Sequence, residues 1–338
     1  SCNFEAKRSE QDRVKLMSAQ TIQDLLAAGV QGRHILIRSD LNTPLDEGNV
    51  SDDGRIRASL PVIEKLAEAG AKVIVMAHLG RPKGEVNPDF SLKPVAARMS
   101  ELTNFTVQLA EDVTGPSAQQ LAQDQNDGSI LLLENVRFDA RETSKDDSER
   151  SELAEEMAAL TGDNGAYVGD AFGAVHRKHA SVYDIATKLP AYQGELVEKE
   201  VTVLAQLNGE PQRPYVVVLG GSKVSDKLAV IDNLIERADY LLIGGGMLFT
   251  FLKAQGHNVG SSLLEEDQLD TVKNYLHRSE EGNCKIILPT DIVMAEKFAA
   301  DAESATLPVA SLENGAHGAN ALGLDIGPDS AANFAKYI

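Results

Sequence analysis

The stretch His34-Ile-Leu-Ile-Arg-Ser-Asp-Leu-Asn-Thr-Pro44 decides the fold class. Its apolar, β-branched opening is too short for a buried helix and reads as a strand covered on both faces, which is the pattern of a parallel sheet. The strand then runs abruptly into Arg38, Ser39, Asp40 and Asn42 and is closed by Pro44. In open α/β sheets, ligands bind beyond the carboxyl ends of the strands, so polar residues spent there suggest a site.

The same alternation continues outward. Ile22, Leu25 and Leu26 predict a short helix stopped at Gly29. Leu60, Ile63, Leu66 and Ala67 predict another, with Ser59 as N-cap, Pro61 in the first turn and Gly70 as the stop. Strands are predicted at Lys72–Met76, Thr106–Leu109, Ile130–Leu133 and Ala166–Gly169. Helices between them are predicted at Ser91–Leu102, Pro116–Gln123 and Glu149–Leu160. Val197, Val201, Leu204 and Leu207 share one face of a longer helix, Gly194–Leu207, after which Gly209-Glu-Pro-Gln-Arg-Pro214 breaks the chain. A second alternating series follows: strand Tyr215–Leu219, helix Asp226–Ala238, strand Tyr240–Ile243, helices from Met247 and Glu265, and strand Lys285–Leu288. The expected class is α/β, with two open parallel-sheet, three-layer (αβα) domains joined by a long interdomain helix. Expected boundaries are a flexible arm at 1–17, a first domain at 18–193, the connecting helix at 194–208 and a second domain at 209–338.

Length supports two domains, since 338 residues exceed one ordinary core. A formal charge of −19 disfavours nucleic acid and anionic membranes as partners. No apolar run approaches the ~20 residues that span a bilayer, and the first residues lack a secretory signal's apolar segment, so a cytoplasmic protein is expected. Cys2 and Cys284 form no metal-binding or disulfide pattern and are expected as reduced thiols.

On so acidic a chain, clustered positive charge is informative. Arg38, Arg55, Arg81, Arg137 and Arg177 all lie in segments that one crevice of the first domain can share. Guanidinium forks suit a ligand carrying phosphate and carboxylate, although any one of them alone reads equally well as a surface ion pair. His78 is open to two readings, general base or hydrogen-bonded anchor, of which the anchor is commoner. His176 and His179 are not expected to hold a metal, because no third ligand accompanies them. In the second domain, Gly220-Gly-Ser-Lys-Val-Ser-Asp-Lys227 before a helix offers backbone N–H groups and two lysines to phosphate oxygens. Gly244-Gly-Gly-Met247 offers close backbone approach to a base or ribose, or else is a structural turn. Neither segment has the spacing of a Walker A loop or a dinucleotide fingerprint.

The ordered blocks RSDLNTP, GRIRASLP, AHLGRPKG, LLLENVRF, GDAFGAVHRKHAS, VVLGGSKVSDK, GGGM, LPTD and GLDIGP resemble phosphoglycerate kinase from about Ser18 onward. The resemblance implies reversible phosphoryl transfer between 1,3-bisphosphoglycerate and ADP, giving 3-phosphoglycerate and ATP, by a cytoplasmic monomer that closes its domains about a hinge. It assigns 3-phosphoglycerate to Asp40, Leu41, Asn42, Arg55, His78, Leu79, Gly80, Arg81, Arg137 and Arg177, with Arg38 and Lys223 in catalytic roles. It places the nucleotide at Gly221, Lys223, Lys227, Gly244, Gly245 and Gly323, with Mg2+ carried by the nucleotide. Departures are Leu41 and Thr43 for the family's usual Phe and Val, and Ala174-Val175 for Thr-Ala. The absence of tryptophan matches the absence of the family's last strands, so the second domain is expected to be incomplete, with the metal aspartate beyond Ile338. Two alternatives remain: a catalytically impaired 3-phosphoglycerate-binding homologue, and a nicotinamide-dependent dehydrogenase. For the transferase, Arg38→Ala is expected to cut transfer by orders of magnitude with little loss of folding.

Overall fold

A computed structural model describes residues 19–338. The arm expected at 1–17 lies outside the described residues. The chain divides into two compact units, one up to Leu207 and one from Asn208.

The first unit is built on a six-stranded sheet. Its strands are β1 (His34–Arg38), β4 (Lys72–Met76), β5 (Val107–Leu109), β6 (Ile130–Leu132), β7 (Ala166–Gly169) and β8 (Ala191–Gln193). A small antiparallel hairpin, β2 (Leu45–Asp46) and β3 (Asn49–Val50), follows β1. The sheet order is β5-β6-β4-β1-β7-β8, with every neighbouring pair parallel. Alternation along the central strands divides the core in two. Ile35, Ile37, Val73 and Val75 pack with α1 (Ile22–Ala27), α2 (Gly54–Glu68) and α3 (Lys93–Leu102). Leu36, Ile74 and Met76 pack on the other face with α4 (Pro116–Gln123) and α5 (Asp147–Ala159). Helices on both faces leave the carboxyl ends of the strands as the free edge. Because the chain leaves β1 toward β4 and reaches β7 on the other side, the loops after β1 and β7 part from each other there, which is where such sheets bind ligands.

One element boundary corrects the sequence reading. Ser59 is not an N-cap: α2 starts at Gly54, and Pro61 lies inside it. Pro61 sits on the exposed face, where the carbonyl of Arg57 that it leaves without an N–H can turn to water, so the helix tolerates it. Ser59 is buried instead, and its hydroxyl donates to the carbonyl of Asp40 at 3.4 Å.

Helix α6 (Glu195–Asn208) ends at the division between the units. In the second unit, β9 (Val216–Leu219), β10 (Tyr240–Ile243) and β11 (Lys285–Ile287) form a parallel sheet in the order β11-β10-β9. A second sheet was not legible in the sequence: β12 (Asp291–Ala295) pairs antiparallel with both β13 (Ser304–Pro308) and β14 (Leu322–Ile326). Strand β13 and part of β14 are exposed, so no apolar period announces them, although β12 is itself a buried apolar run. One core joins the layers: α7 (Leu228–Ile235), α8 (Leu248–Ala254) and α9 (Leu269–Glu281) bury Ile231, Phe251 and Val272 against Leu241, Ile243, Ile292 and Met294. The short α10 (Pro328–Phe334) closes the chain, its Ser330 bonded to Asp291. Among the described residues, no helix is long and apolar enough to cross a membrane.

Candidate active site

At the free edge of the first sheet, three loops are tied at Gly80. The loop after β1 reaches it through Asn42, whose Oδ1 accepts the Gly80 N–H at 2.8 Å. The segment after β6 reaches it through Arg137, whose Nη1 donates to the Gly80 carbonyl at 2.9 Å. Asn135, fully buried, donates from Nδ2 to the carbonyls of Leu79 and Phe90 at 2.8 and 2.9 Å. Gly80 has φ +59°, and a Cβ there would lie 2.4 Å from the Phe90 ring, so only glycine fits the knot.

Around this knot is a cavity of about 290 Å3, lined by Asp40, Asn42, Arg55, His78, Gly80, Arg81, Arg137 and Arg177, with Gly173 and Ala174 from the segment after β7. These are the sequence-predicted acid-site residues except for two. Leu41 and Leu79 are buried in the core and do not line the cavity; their side chains anchor the loops from beneath. Arg55 is half-exposed and grips both oxygens of Asp40 at 2.9 and 3.0 Å.

Arg38, at the end of β1, is 1% exposed and lies beneath the cavity rather than on its wall. Its Nε donates to Ser181 Oγ at 2.8 Å, Nη1 to the Ser39 carbonyl at 2.7 Å and Nη2 to His78 Nδ1 at 2.9 Å. A guanidinium cannot accept, so His78 Nδ1 holds a lone pair and the ring proton sits on Nε2. Burial, reinforced by Arg38 and Arg137, pulls the His78 pKa down to about 2. A neutral ring whose one lone pair is taken by Arg38 is placed as a fixed donor and hydrogen-bonded anchor, which favours that reading over the general base. His176 is exposed while His179 is buried, and burial with Arg137 and Arg38 nearby lowers His179 to about 4.

Sequence reasoning missed Glu142 and Ser181. Both are fully buried; Glu142 accepts from the Ser181 N–H at 2.9 Å and from the Ser181 hydroxyl at 2.6 Å. Burial pushes the Glu142 carboxyl up to about 7, against the pull of Arg38. Glu142 stands in Asp139-Ala-Arg-Glu-Thr-Ser-Lys-Asp146, which in sequence looks like any solvated charged stretch. The expectation that Arg38→Ala spares folding is also corrected, since that change would strip a buried carboxylate of its counter-charge.

The second unit makes a different arrangement. The loops after β9 and β10 touch through backbone: Gly244 N–H donates to the Leu219 carbonyl and Met247 N–H to the Gly221 carbonyl, each at 2.8 Å. Gly245 has φ +65°, and a Cβ there would lie 2.6 Å from Gly221 N and 2.8 Å from Gly221 O. Gly221, at φ +152°, has the Lys227 stem passing 3.7 Å from where its Cβ would stand, which puts Lys227 over the glycine turn. Lys223, in the same loop, lies within electrostatic reach of Glu265. Gly323 is on β14, where a Cβ would strike the Phe249 ring at 2.1 Å, so packing under Phe249 requires that glycine. Among the described residues, no group of three or more histidine, cysteine or carboxylate side chains is built to hold a metal ion.

A family model described as phosphoglycerate kinase matches residues 22–338. Curated phosphoglycerate kinases of Paenarthrobacter aurescens and Pseudarthrobacter chlorophenolicus are each 62% identical over 322 residues, covering 95% of this chain and 79% of the relative. Among solved structures, phosphoglycerate kinase from Coxiella burnetii matches with a TM-score of 0.72 at 35% identity, over 91% of this chain and 75% of that one. The enzyme from Pyrococcus horikoshii OT3 matches with the same TM-score at 27% identity, over 91% of this chain and 76% of that one.

Proposed function

The chain belongs to the phosphoglycerate kinase family, and from that premise we infer how its two sites divide the reaction. It is a phosphotransferase of glycolysis, moving a phosphoryl group reversibly between 1,3-bisphosphoglycerate and ADP to give 3-phosphoglycerate and ATP. The observation that carries the division is the cation-lined cavity of the first unit, set in a chain of net charge −19.

Arg55, Arg81, Arg137 and Arg177 hold the phosphate and carboxylate of 3-phosphoglycerate, with Asn42 and the Nε2–H of His78 as neutral donors. Asp40 orients Arg55. Phosphoryl transfer asks for alignment and for compensation of spreading negative charge rather than for a covalent intermediate. Arg38, held from beneath by three neutral acceptors, supplies a fixed positive charge to the transferring group. Such preorganised charge costs no rearrangement during the reaction. In the second unit, Lys223 and Lys227 neutralise nucleotide phosphates, and the backbone of Gly221, Gly244 and Gly245 lets the nucleotide approach closely. Mg2+ enters as the counter-ion of the nucleotide. We place the enzyme in the cytoplasm as a monomer.

A coupled assay of this 338-residue chain with ATP, Mg2+ and 3-phosphoglycerate, beside calorimetric titration of each ligand, tests the reading. Turnover with binding of both ligands is expected. Acid binding without turnover would reassign this chain as a binder of the acid, and failure to bind the acid would remove the site assignment.

A further inference from the structure

The first unit contains two almost fully buried arginines, and they are held in opposite ways. Arg150 is 2% exposed and meets carboxylates directly: Nε donates to Asp184 Oδ2 at 2.9 Å, Nη2 bonds Asp147, and Nη1 donates to the Ser144 carbonyl at 2.7 Å. That is the ordinary way to bury a guanidinium, and its charge is spent inside the protein. Arg38 is 1% exposed and touches no carboxylate; its partners are a hydroxyl, a carbonyl and a neutral imidazole. Of its five N–H groups, one on each Nη has no partner among the described residues.

The counter-charge stands one hydroxyl away. Ser181 Oγ accepts from Arg38 Nε at 2.8 Å and donates to Glu142 Oε1 at 2.6 Å, while the Ser181 N–H fixes the other carboxylate oxygen at 2.9 Å. The hydroxyl proton must point to Glu142 because Arg38 cannot accept it, so the chain Arg38–Ser181–Glu142 has one polarity only. We propose that Ser181 and Glu142 are positioning residues for phosphoryl transfer: they hold the Arg38 guanidinium in place and compensate its burial through a relay, leaving its charge unspent for the reacting phosphoryl group.

This inference rests on the assignment of Arg38 to the transferring group. A direct Glu142–Arg38 pair would stabilise the fold equally well but would quench the charge that the reaction needs. The neighbouring charged groups leave Glu142 as the compensating carboxylate. Tyr167 is buried and its hydroxyl donates to the Ser181 carbonyl at 3.1 Å, Asp40 is engaged by Arg55, and His78, His179 and Arg137 add no negative charge.

Steady-state kinetics at pH 8, above the value of about 7 to which Glu142 is raised and where its carboxylate is charged, of Ser181→Ala, Glu142→Gln and the double variant, each beside its thermal midpoint, form the test. Glu142→Gln keeps an oxygen that can accept from Ser181 and so preserves packing. Each single variant is expected to lower kcat about tenfold with the KM for 3-phosphoglycerate within twofold. The double variant should lose little more than the worse single one, because both break one chain. Alongside, the Arg38 Nε–H signal should exchange with solvent slowly in the parent and at least tenfold faster in Ser181→Ala. Single variants with kcat within twofold of the parent, or a double variant whose loss is the product of the singles, would overturn the proposal. Should the parent bind the acid without turning over, the catalytic reading fails separately, and the exchange measurement decides the relay: equal Arg38 exchange in parent and Ser181→Ala sinks it.

Discussion

The cavity of the first unit and the loop pair of the second are built from opposite materials. In the first, the proposed binding surface is made of side-chain charge: four arginines, among them Arg81 and Arg137 on loops tied at Gly80, with one more cation buried beneath them. In the second it is made of backbone: glycines bring the loops after β9 and β10 into contact, with Lys223 and Lys227 in the segment alongside. The contrast matches the two substrates proposed for these sites. A small, highly charged acid is best gripped by forked cations, whereas a flat nucleotide needs close approach along its length. It also separates their failure modes, since truncating a cation removes charge and leaves shape, while adding a methyl to a glycine loop removes shape and leaves charge.

The largest expected effect tests the buried cation. Arg38→Ala should lower kcat about 10³-fold, ~4 kcal/mol, and unlike a surface arginine it should also lower the unfolding midpoint, because Glu142 is left buried without compensation. An unchanged rate would remove Arg38 from the reaction. Next comes the shape of the second site. Gly245→Ala places a side chain at φ +65° against the Gly221 backbone, which no rotamer relieves. Titration calorimetry should show ATP binding weakened roughly 50-fold, ~2 kcal/mol, with 3-phosphoglycerate binding unchanged. Equal weakening of both ligands would break the proposed division of labour.

Smaller still, Arg177→Ala should weaken 3-phosphoglycerate about tenfold, ~1.5 kcal/mol, with ATP affinity and melting temperature kept, because Arg177 is exposed. A loss confined to ATP would reverse the assignment.

The smallest effect is a proton count. His78 and His179 are neutral when folded, at about 2 and about 4, against 6.5 unfolded. Their contribution is present above the unfolded value and lost as pH falls toward those folded values. Glu142 has the opposite sign: raised from 4.5 to about 7, it contributes stability that is complete below 4.5 and lost as pH rises through about 7. Near pH ~5.5 the two histidines make stability rise with pH by about two protons and Glu142 subtracts about one. Urea midpoints across half a pH unit there should show Glu142→Gln steeper than the parent by one proton, ~0.7 kcal/mol over that interval. Parallel slopes would show that Glu142 titrates normally.

How far the sequence could be read follows the same contrast. Strand-and-helix alternation in the first unit was legible because its central strands are continuous apolar runs covered on both faces, and the arginines stood out against an acidic background; the half-buried edge strand β8 carries no such run and went unread. Pro61 misled the start of α2, since proline is tolerated in a first turn and also on an exposed interior face with water at hand. The antiparallel sheet of β12–β14 passed unread because its exposed strands carry no period.

What the sequence determined alone was therefore the α/β class and the family, because residue type and periodicity are local properties of the chain. What only the tertiary structure decided was depth. It put Arg38 beneath the cavity and Leu41 and Leu79 into the core, and it brought Glu142 and Ser181 together across 39 residues. The reason is physical: a carboxylate in a run of charged residues looks the same in sequence whether it faces water or a buried guanidinium, and only packing sets the dielectric that separates the two.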